Sequence, residues 1–410
     1  MDVERIRADF PLLQRTTRGR PLIYLDSAAT AQRPRSVLEA ERRFYEERNA
    51  NVRRGVYALS EEATDAFEAA RARCARFVHA ADPNEIVFVR GTTEAINLLA
   101  YGLGQRHLGP GTRVLTTVME HHSNIVPWQL QCEARGAALD WVEIDDDGFL
   151  DRESFSAGVA RRPKIVTFTH VSNVLGTVNP VRELAEEAHD RGAIVLLDAA
   201  QSAPHLPLDV RALDVDALAF SGHKILGPMG IGVLWMRAPL LRDLPPYMGG
   251  GEMIREVRRD RSTFADPPAR FEAGTPNVAG AVGLVPAIDY LESIGWDEIA
   301  AHDRLLAERF RAGAAERWGD RLRLFGPREP GRRTAVLSFA LAGVHPHDLA
   351  SLVDADGIAI RAGHHCAQPL MERLGVSALS RASPYIYNRP EEIDALLTSL
   401  ERVDRLFHPA

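Results

Sequence analysis

Short, almost uninterrupted apolar runs alternate with amphipathic runs across the first two-thirds of the chain, and no other feature restricts the fold as much. Glu85–Arg90, Arg113–Val118, Lys164–Thr169, Ala193–Asp198 and Ala217–Phe220 read as strands, and Thr93–Tyr101, Pro127–Arg135 and Val181–Arg191 carry helical spacing. Strands that are apolar on both sides belong to a parallel sheet covered on both faces. Strand–helix alternation then implies right-handed crossovers and a doubly wound α/β core. Beyond roughly residue 290 the pattern changes. A helix is predicted over Asp303–Trp318, with Leu305, Leu306, Phe310 and Ala314 on one stripe. A strand (Arg333–Phe339), a helix (Pro346–Ala355), a strand (Gly357–Arg361) and a final helix (Pro390–Leu406) follow, the last opened by a proline suited to a first turn. The expectation is an α/β domain with a mostly parallel sheet over residues 21–290, a smaller α+β domain over 291–410, and an N-terminal segment, 1–20, packed with the smaller one.

The 410 residues suffice for two or three domains, and 26% charged with 45% hydrophobic residues is ordinary globular composition. A net charge of −7 gives no electrostatic reason to bind nucleic acid or an anionic membrane. Runs such as Ile194–Leu197 fall far short of the roughly 20 apolar residues a membrane helix needs. The first ten residues mix both charge signs and contain no apolar stretch, unlike a secretory signal. Cys74, Cys132 and Cys366 form an odd, sparse set, which points to a reducing cytoplasm rather than a disulfide framework.

Ligands of doubly wound sheets sit beyond the carboxyl ends of the strands. Asp198 closes the most apolar strand; read alone it is a turn or helix-capping residue, but at that depth it needs a cationic or hydrogen-bonding partner. Lys224 follows the next strand in Ser221-Gly222-His223-Lys224, about one strand–crossover–strand step later. Such a lysine is either a snorkelling surface residue or a desolvated amine able to form a Schiff base. Gly91-Thr92-Thr93-Glu94 opens a helix after a strand, which suits either a phosphate or a plain capping box. An amine, a carboxylate and a phosphate cup converging at strand ends fit a pyridoxal 5′-phosphate site, with an imidazole from His121 or His122 stacked on the ring. Cys366 lies in a glycine-bearing basic loop, Arg361-Ala362-Gly363-His364-His365-Cys366, whose cationic setting favours a reactive thiolate, whereas Cys74 and Cys132 sit in helical patterns as packing residues. No metal site is expected: His121 and His122 are adjacent and diverge, and the consecutive His364, His365 and Cys366 make poor ligands for one tetrahedral ion.

LDSAAT, GTTEAIN, MEHHSNIVPW, HVSNVLGT, LLDAAQS, FSGHKILGP, RFEAGTPN, RAGHHCAQP and RASPYIYN, in this order from about residue 20 to about residue 400, resemble the SufS-type (group II) cysteine desulfurases. These are class V aminotransferases of the fold-type I pyridoxal phosphate enzymes. The resemblance implies that Lys224 carries the cofactor and later moves protons, that Asp198 pairs with the pyridine nitrogen, and that Gln201 bonds the ring hydroxyl. His121 would stack on the ring, and Thr93, Ser221 and His223 would hold the phosphate with help from Thr92. Thr275 would reach the phosphate of the neighbouring subunit of a homodimer. Asn173 and Arg381 would bind the substrate carboxylate, with Arg361 also on the substrate side. Cys366 would take the sulfur of L-cysteine as a persulfide, release L-alanine and pass the sulfur to a SufE-like or SufU-like acceptor for iron–sulfur cluster assembly. Val344-His345-Pro346-His347-Asp348 resembles the segment whose histidine joins the zinc of a SufU-like acceptor; read from its residues alone it is a helix start. Selenocysteine lyase, or a class V aminotransferase or lyase with an incidental cysteine, is the alternative activity. Arg53-Arg54-Gly55-Val56-Tyr57 departs from the His-Arg-Gly-x-His expected of relatives, at positions expected near the site entrance.

Overall fold

The structure is a computed structural model that describes residues 1–329 and 331–408. Seven strands form the main sheet: β1 (Ile86–Val89), β2 (Arg113–Thr117), β3 (Ala138–Val142), β4 (Ile165–Thr169), β5 (Ile194–Asp198), β6 (Ala217–Ser221) and β7 (Gly232–Met236). Their spatial order is β1-β7-β6-β5-β4-β2-β3. All neighbours pair in parallel except β7, which runs antiparallel to both β6 and β1. The link from Ser221 to Gly232 is too short for a crossover, which needs about a dozen residues or more, so β7 has to return antiparallel. β5 shows why these strands read as unbroken apolar runs: Val195 and Leu197 enter the core on one face, and Leu196 enters the separate core on the other.

Two strands of this sheet escaped the sequence pattern. β3 is a half-exposed edge strand, and β7 follows a Gly-Pro-rich stretch that reads as loop. The smaller sheet consists of β8 (Leu322–Phe325), β9 (Leu337–Leu341), β10 (Arg361–Gly363) and β11 (Leu379–Ala382), all antiparallel in the order β8-β9-β11-β10. The predicted strand at Gly357–Arg361 is split: Ile358–Ala359 pairs in parallel with Ile23–Tyr24, and β10 begins only at Arg361. Phe310, Leu306, Leu396 and Leu400 build its core from the helices Trp296–Trp318 and Pro390–Phe407. Trp296–Trp318 starts earlier than its apolar stripe suggests, because Gly295 (φ +92°) ends the preceding helix, Val278–Ile294, and lets the next one begin at once. Val278–Ile294 packs on the large-sheet side, against Ala58–Phe77. From the N-terminal segment, Arg7 pairs with Glu392 at 3.0 Å, and Phe10 lies between the rings of Tyr290 and Tyr387.

Edge strand β1 is held by Glu272, whose buried carboxylate accepts the Phe88 N–H at 2.8 Å, Arg71 at 2.7 and 2.9 Å, and Arg53 at 2.7 Å. Arg53 is thus committed to this cluster. Glu272→Ala removes the buried partner of Arg71, which keeps Glu68 at 2.7 Å and the Ile86 carbonyl at 2.9 Å, and should cost about 3 kcal/mol, read as a lower midpoint in urea denaturation. Arg53→Ala, which leaves the Arg71–Glu272 pair intact, should cost much less.

Candidate active site

The carboxyl ends of β4, β5 and β6 open into a cavity of about 160 Å³, closed from the other side by the smaller sheet. Apolar packing on both faces of β5 and β6 fixes where each strand ends, and so fixes Asp198 and Ser221. A single 3₁₀ turn, Gly222–Lys224, carries Lys224 from the end of β6 into the cavity. The helix Thr92–His107 begins at the same level. The Thr92 N–H donates to Ser221 Oγ at 2.9 Å, and the two hydroxyls lie 2.8 Å apart. Gly232 permits this approach, since a Cβ there would meet the Gly91 Cα at 2.6 Å and the Phe220 carbonyl oxygen at 2.7 Å.

The Lys224 amine lies deep in the molecule, although part of its side chain faces the cavity. Burial lowers its pKa to about 8, and the charges of Arg381 and Arg361 add to that shift while Asp198 opposes it. Asp198 is raised by burial, against the Ala200 N–H bond at 2.9 Å and the charge of Lys224. His121 is lowered to about 3, chiefly by burial and then by Lys224, so its ring is neutral; its Nδ1 faces Ser123 Oγ at 2.7 Å. Gln201 donates to the Ala28 carbonyl at 2.7 Å, and its Oε1 is buried without a partner among the described residues.

The smaller sheet supplies Arg361 from β10 and Arg381 from β11, two facing positions of the register. Arg381 is buried; it donates to the Asn173 carbonyl at 2.8 Å and to Asp26 at 3.0 Å, while its Nε lacks a partner among the described residues. Asn173 Nδ2 donates to the His365 carbonyl at 2.8 Å. Cys366 lies outside the cavity lining, directly after His365, which is part of it. A backbone bond of 2.7 Å from the His122 N–H to the Cys366 carbonyl ties the cysteine loop to the loop after β2.

Of the expected site residues, the fold brings Thr92, Thr93, His121, Asn173, Asp198, Gln201, Ser221, His223, Lys224, Arg361 and Arg381 to one cavity. It does not bring Thr275 there, which is exposed. Arg53 and Tyr57, expected near the entrance, do not line this cavity either: Arg53 is bound to Glu272, and the Tyr57 side chain is exposed. His345 is exposed at a helix start, where it caps the His347 N–H. Glu120 escaped notice. It is fully buried beneath the site, accepts bonds from Thr117, Asn124 and the Thr169 N–H, and is pushed by burial to about 8. Its one sequence signal was its place between β2 and His121. A larger cleft of about 840 Å³, between Asp146, Arg311, Arg323 and Arg333, contains none of these residues; the convergent polar groups, and not the volume, mark the site.

The family signature of the aminotransferases class V matches residues 23–396. A probable cysteine desulfurase of Streptomyces coelicolor is 49% identical across 99% of this chain and 98% of its own. A cysteine desulfurase of Dickeya dadantii is 51% identical across 98% of this chain and 97% of its own. Among solved structures, an apo cysteine desulfurase from Thermococcus onnurineus superposes with a TM-score of 0.92 at 40% identity, covering 98% of this chain and 97% of that one. One from Escherichia coli, with an S-sulfonic acid, gives 0.91 at 38% identity, covering 99% of both chains.

Lys164 and Lys224 are the chain's two lysines, and Lys164 is exposed. Labelling the cofactor-free protein with a small aldehyde and borohydride, read by peptide mass mapping, should therefore resolve them. Lys224 should gain reactivity as pH rises through about 8 and then level off, because only the neutral amine condenses. An ordinary lysine, at about 10.4, would still be gaining there. Lys164 serves as internal reference.

Proposed function

The chain belongs to the aminotransferase class-V family and, within it, to the cysteine desulfurases, and from the make-up of the cavity we propose that it uses pyridoxal 5′-phosphate to move sulfur from L-cysteine to Cys366, releasing L-alanine. One observation carries this reading: a buried amine of lowered pKa shares a cavity with a buried carboxylate, beside a loop that ends in a free thiol. Two orphaned polar atoms, Gln201 Oε1 and Arg381 Nε, are the kind of group that a hydroxylated pyridine and a substrate carboxylate would satisfy. The paired hydroxyls of Thr92 and Ser221, at a helix start with Thr93 and His223 alongside, suit a phosphate.

Lys224 would hold the cofactor, Asp198 its ring nitrogen, Gln201 its hydroxyl, and the neutral His121 ring its face. When bound, the cofactor draws electrons from the substrate carbons and so eases cleavage next to them. Arg381, with Asn173 and Arg361, orients the substrate carboxylate. The Cys366 thiolate attacks the substrate sulfur, forming an S–S bond as the carbon–sulfur bond breaks. The electron pair stays with carbon, which takes a proton and leaves in alanine. Lys224, whose buried amine has a pKa lowered to about 8, would carry that proton near neutral pH.

The short cysteine loop is held by hydrogen bonds at Cys366, His364 and His365, so it is suited to presenting sulfur to a docked acceptor rather than carrying it outward. We read that acceptor as SufE-like or SufU-like, serving iron–sulfur cluster assembly. A homodimer is favoured by Thr275, exposed and outside its own cavity, and by Val56 and Met229, 97% and 63% exposed. A cytoplasmic setting is favoured by three unpaired cysteines. Among the described residues no single helix is long and apolar enough to cross a membrane.

Cys366→Ser should keep the visible absorbance of bound cofactor and lose at least a hundredfold in alanine release from L-cysteine. Undiminished release would overturn the persulfide step. The same assay on the unsubstituted protein separates the two substrates, since a selenocysteine lyase would release alanine from L-selenocysteine and little or none from L-cysteine. Lys224→Ala should lose both absorbance and turnover.

A further inference from the structure

His122, His364 and Cys366 converge from two separate loops. One nitrogen of each imidazole and the Cys366 sulfur all lie within 4.8 Å of one another. Of the three consecutive residues at the tip of the cysteine loop, only His365 diverges. His365 turns inward, where its Nε2 donates to the Leu379 carbonyl at 3.0 Å. On either side of it His364 is exposed and Cys366 half-buried, and the half-buried His122 completes the set from the loop after β2.

The cluster is organised by backbone bonds. The His122 N–H holds the Cys366 carbonyl at 2.7 Å, the Cys366 N–H reaches His364 Nδ1 at 3.1 Å, and the Gln368 N–H reaches His122 Nε2 at 3.1 Å. The two imidazole planes are tilted by 35° with centroids 5.5 Å apart. No carboxylate belongs to the cluster, which disfavours calcium and magnesium, cations that take oxygen ligands. A thiolate with two imidazoles is a zinc donor set, and the exposed side of His364 leaves a fourth position for water.

We propose that His122, His364 and Cys366 form an open zinc site, at which the metal withholds the Cys366 thiol from sulfur transfer. Binding makes one Zn–S and two Zn–N bonds, releases the thiol proton to solvent and transfers no electrons. It also displaces the backbone N–H groups that now occupy lone pairs on the two rings, and it draws the ligand atoms in to about 3.5 Å of one another. Gly363 (φ +128°) supplies the freedom for that contraction. These costs make the site one for reversible occupancy, not a structural zinc. Cys74 and Cys132 are buried in packing and offer no competing thiol.

The test is direct zinc binding to the cofactor-loaded protein, by equilibrium dialysis with elemental analysis and by X-ray absorption at the zinc edge. About one zinc per chain should bind in the micromolar range, with one sulfur and two imidazole nitrogens around it. Cys366→Ser and His364→Ala should each weaken binding at least tenfold, and the sulfur scatterer should vanish in the first. His364→Gln, with folding checked by cofactor absorbance, stands in if His364→Ala misfolds. His345→Ala, at the exposed His345–His347 pair, should change nothing. No binding at micromolar zinc, a shell of nitrogen and oxygen alone, or zinc lost with His345 instead of His364 would overturn the proposal. Metal content is the readout, so either result leaves the desulfurase reading to its own test.

Discussion

Moving an ammonium group out of water is costly unless its charge is offset or given up. At Lys224 the molecule does some of each. Asp198, at the end of the adjacent parallel strand, supports the charge, while burial and two arginines from the smaller sheet oppose it. The balance leaves an amine that switches between its two forms near neutrality. That state depends on both lobes, because Asp198 comes from the parallel sheet and Arg361 and Arg381 from the antiparallel one. Neither lobe alone would set it.

The same division explains what the sequence revealed. Lys224 and Asp198 were legible because each ends an apolar run, and a charged residue at that depth asks for a reason. The helix start at Thr92 was legible from glycine, threonine and glutamate in order. β3 and β7 were not: one is half-solvated at an edge, and the other hides behind glycines and a proline that mimic a loop. The lone antiparallel strand follows from a connection length, a property of the gap and not of the strand.

Side chains whose work is done by distant partners were the hardest to read. Glu120 is locked by the Thr169 amide as well as by nearby Thr117 and Asn124, and His122 by the Gln368 amide 246 residues away, so local pattern announces them weakly at best. Arg53 shows the opposite error. Its motif suggested the site, but the buried Glu272, already paired with Arg71, claims it as a second cation. Thr275 sits outside the cavity of its own chain, where local reasoning has nothing to pair it with.

Nearly all of the chain's 49 basic residues are arginine. A guanidinium does not condense with an aldehyde as a neutral amine does, so the exterior offers a reactive carbonyl almost nothing to grip. A vitamin-derived aldehyde meeting this surface would wander over it without forming stray adducts until it reached the interior amine. Site selectivity would then come as much from what the periphery lacks as from what the pocket contains.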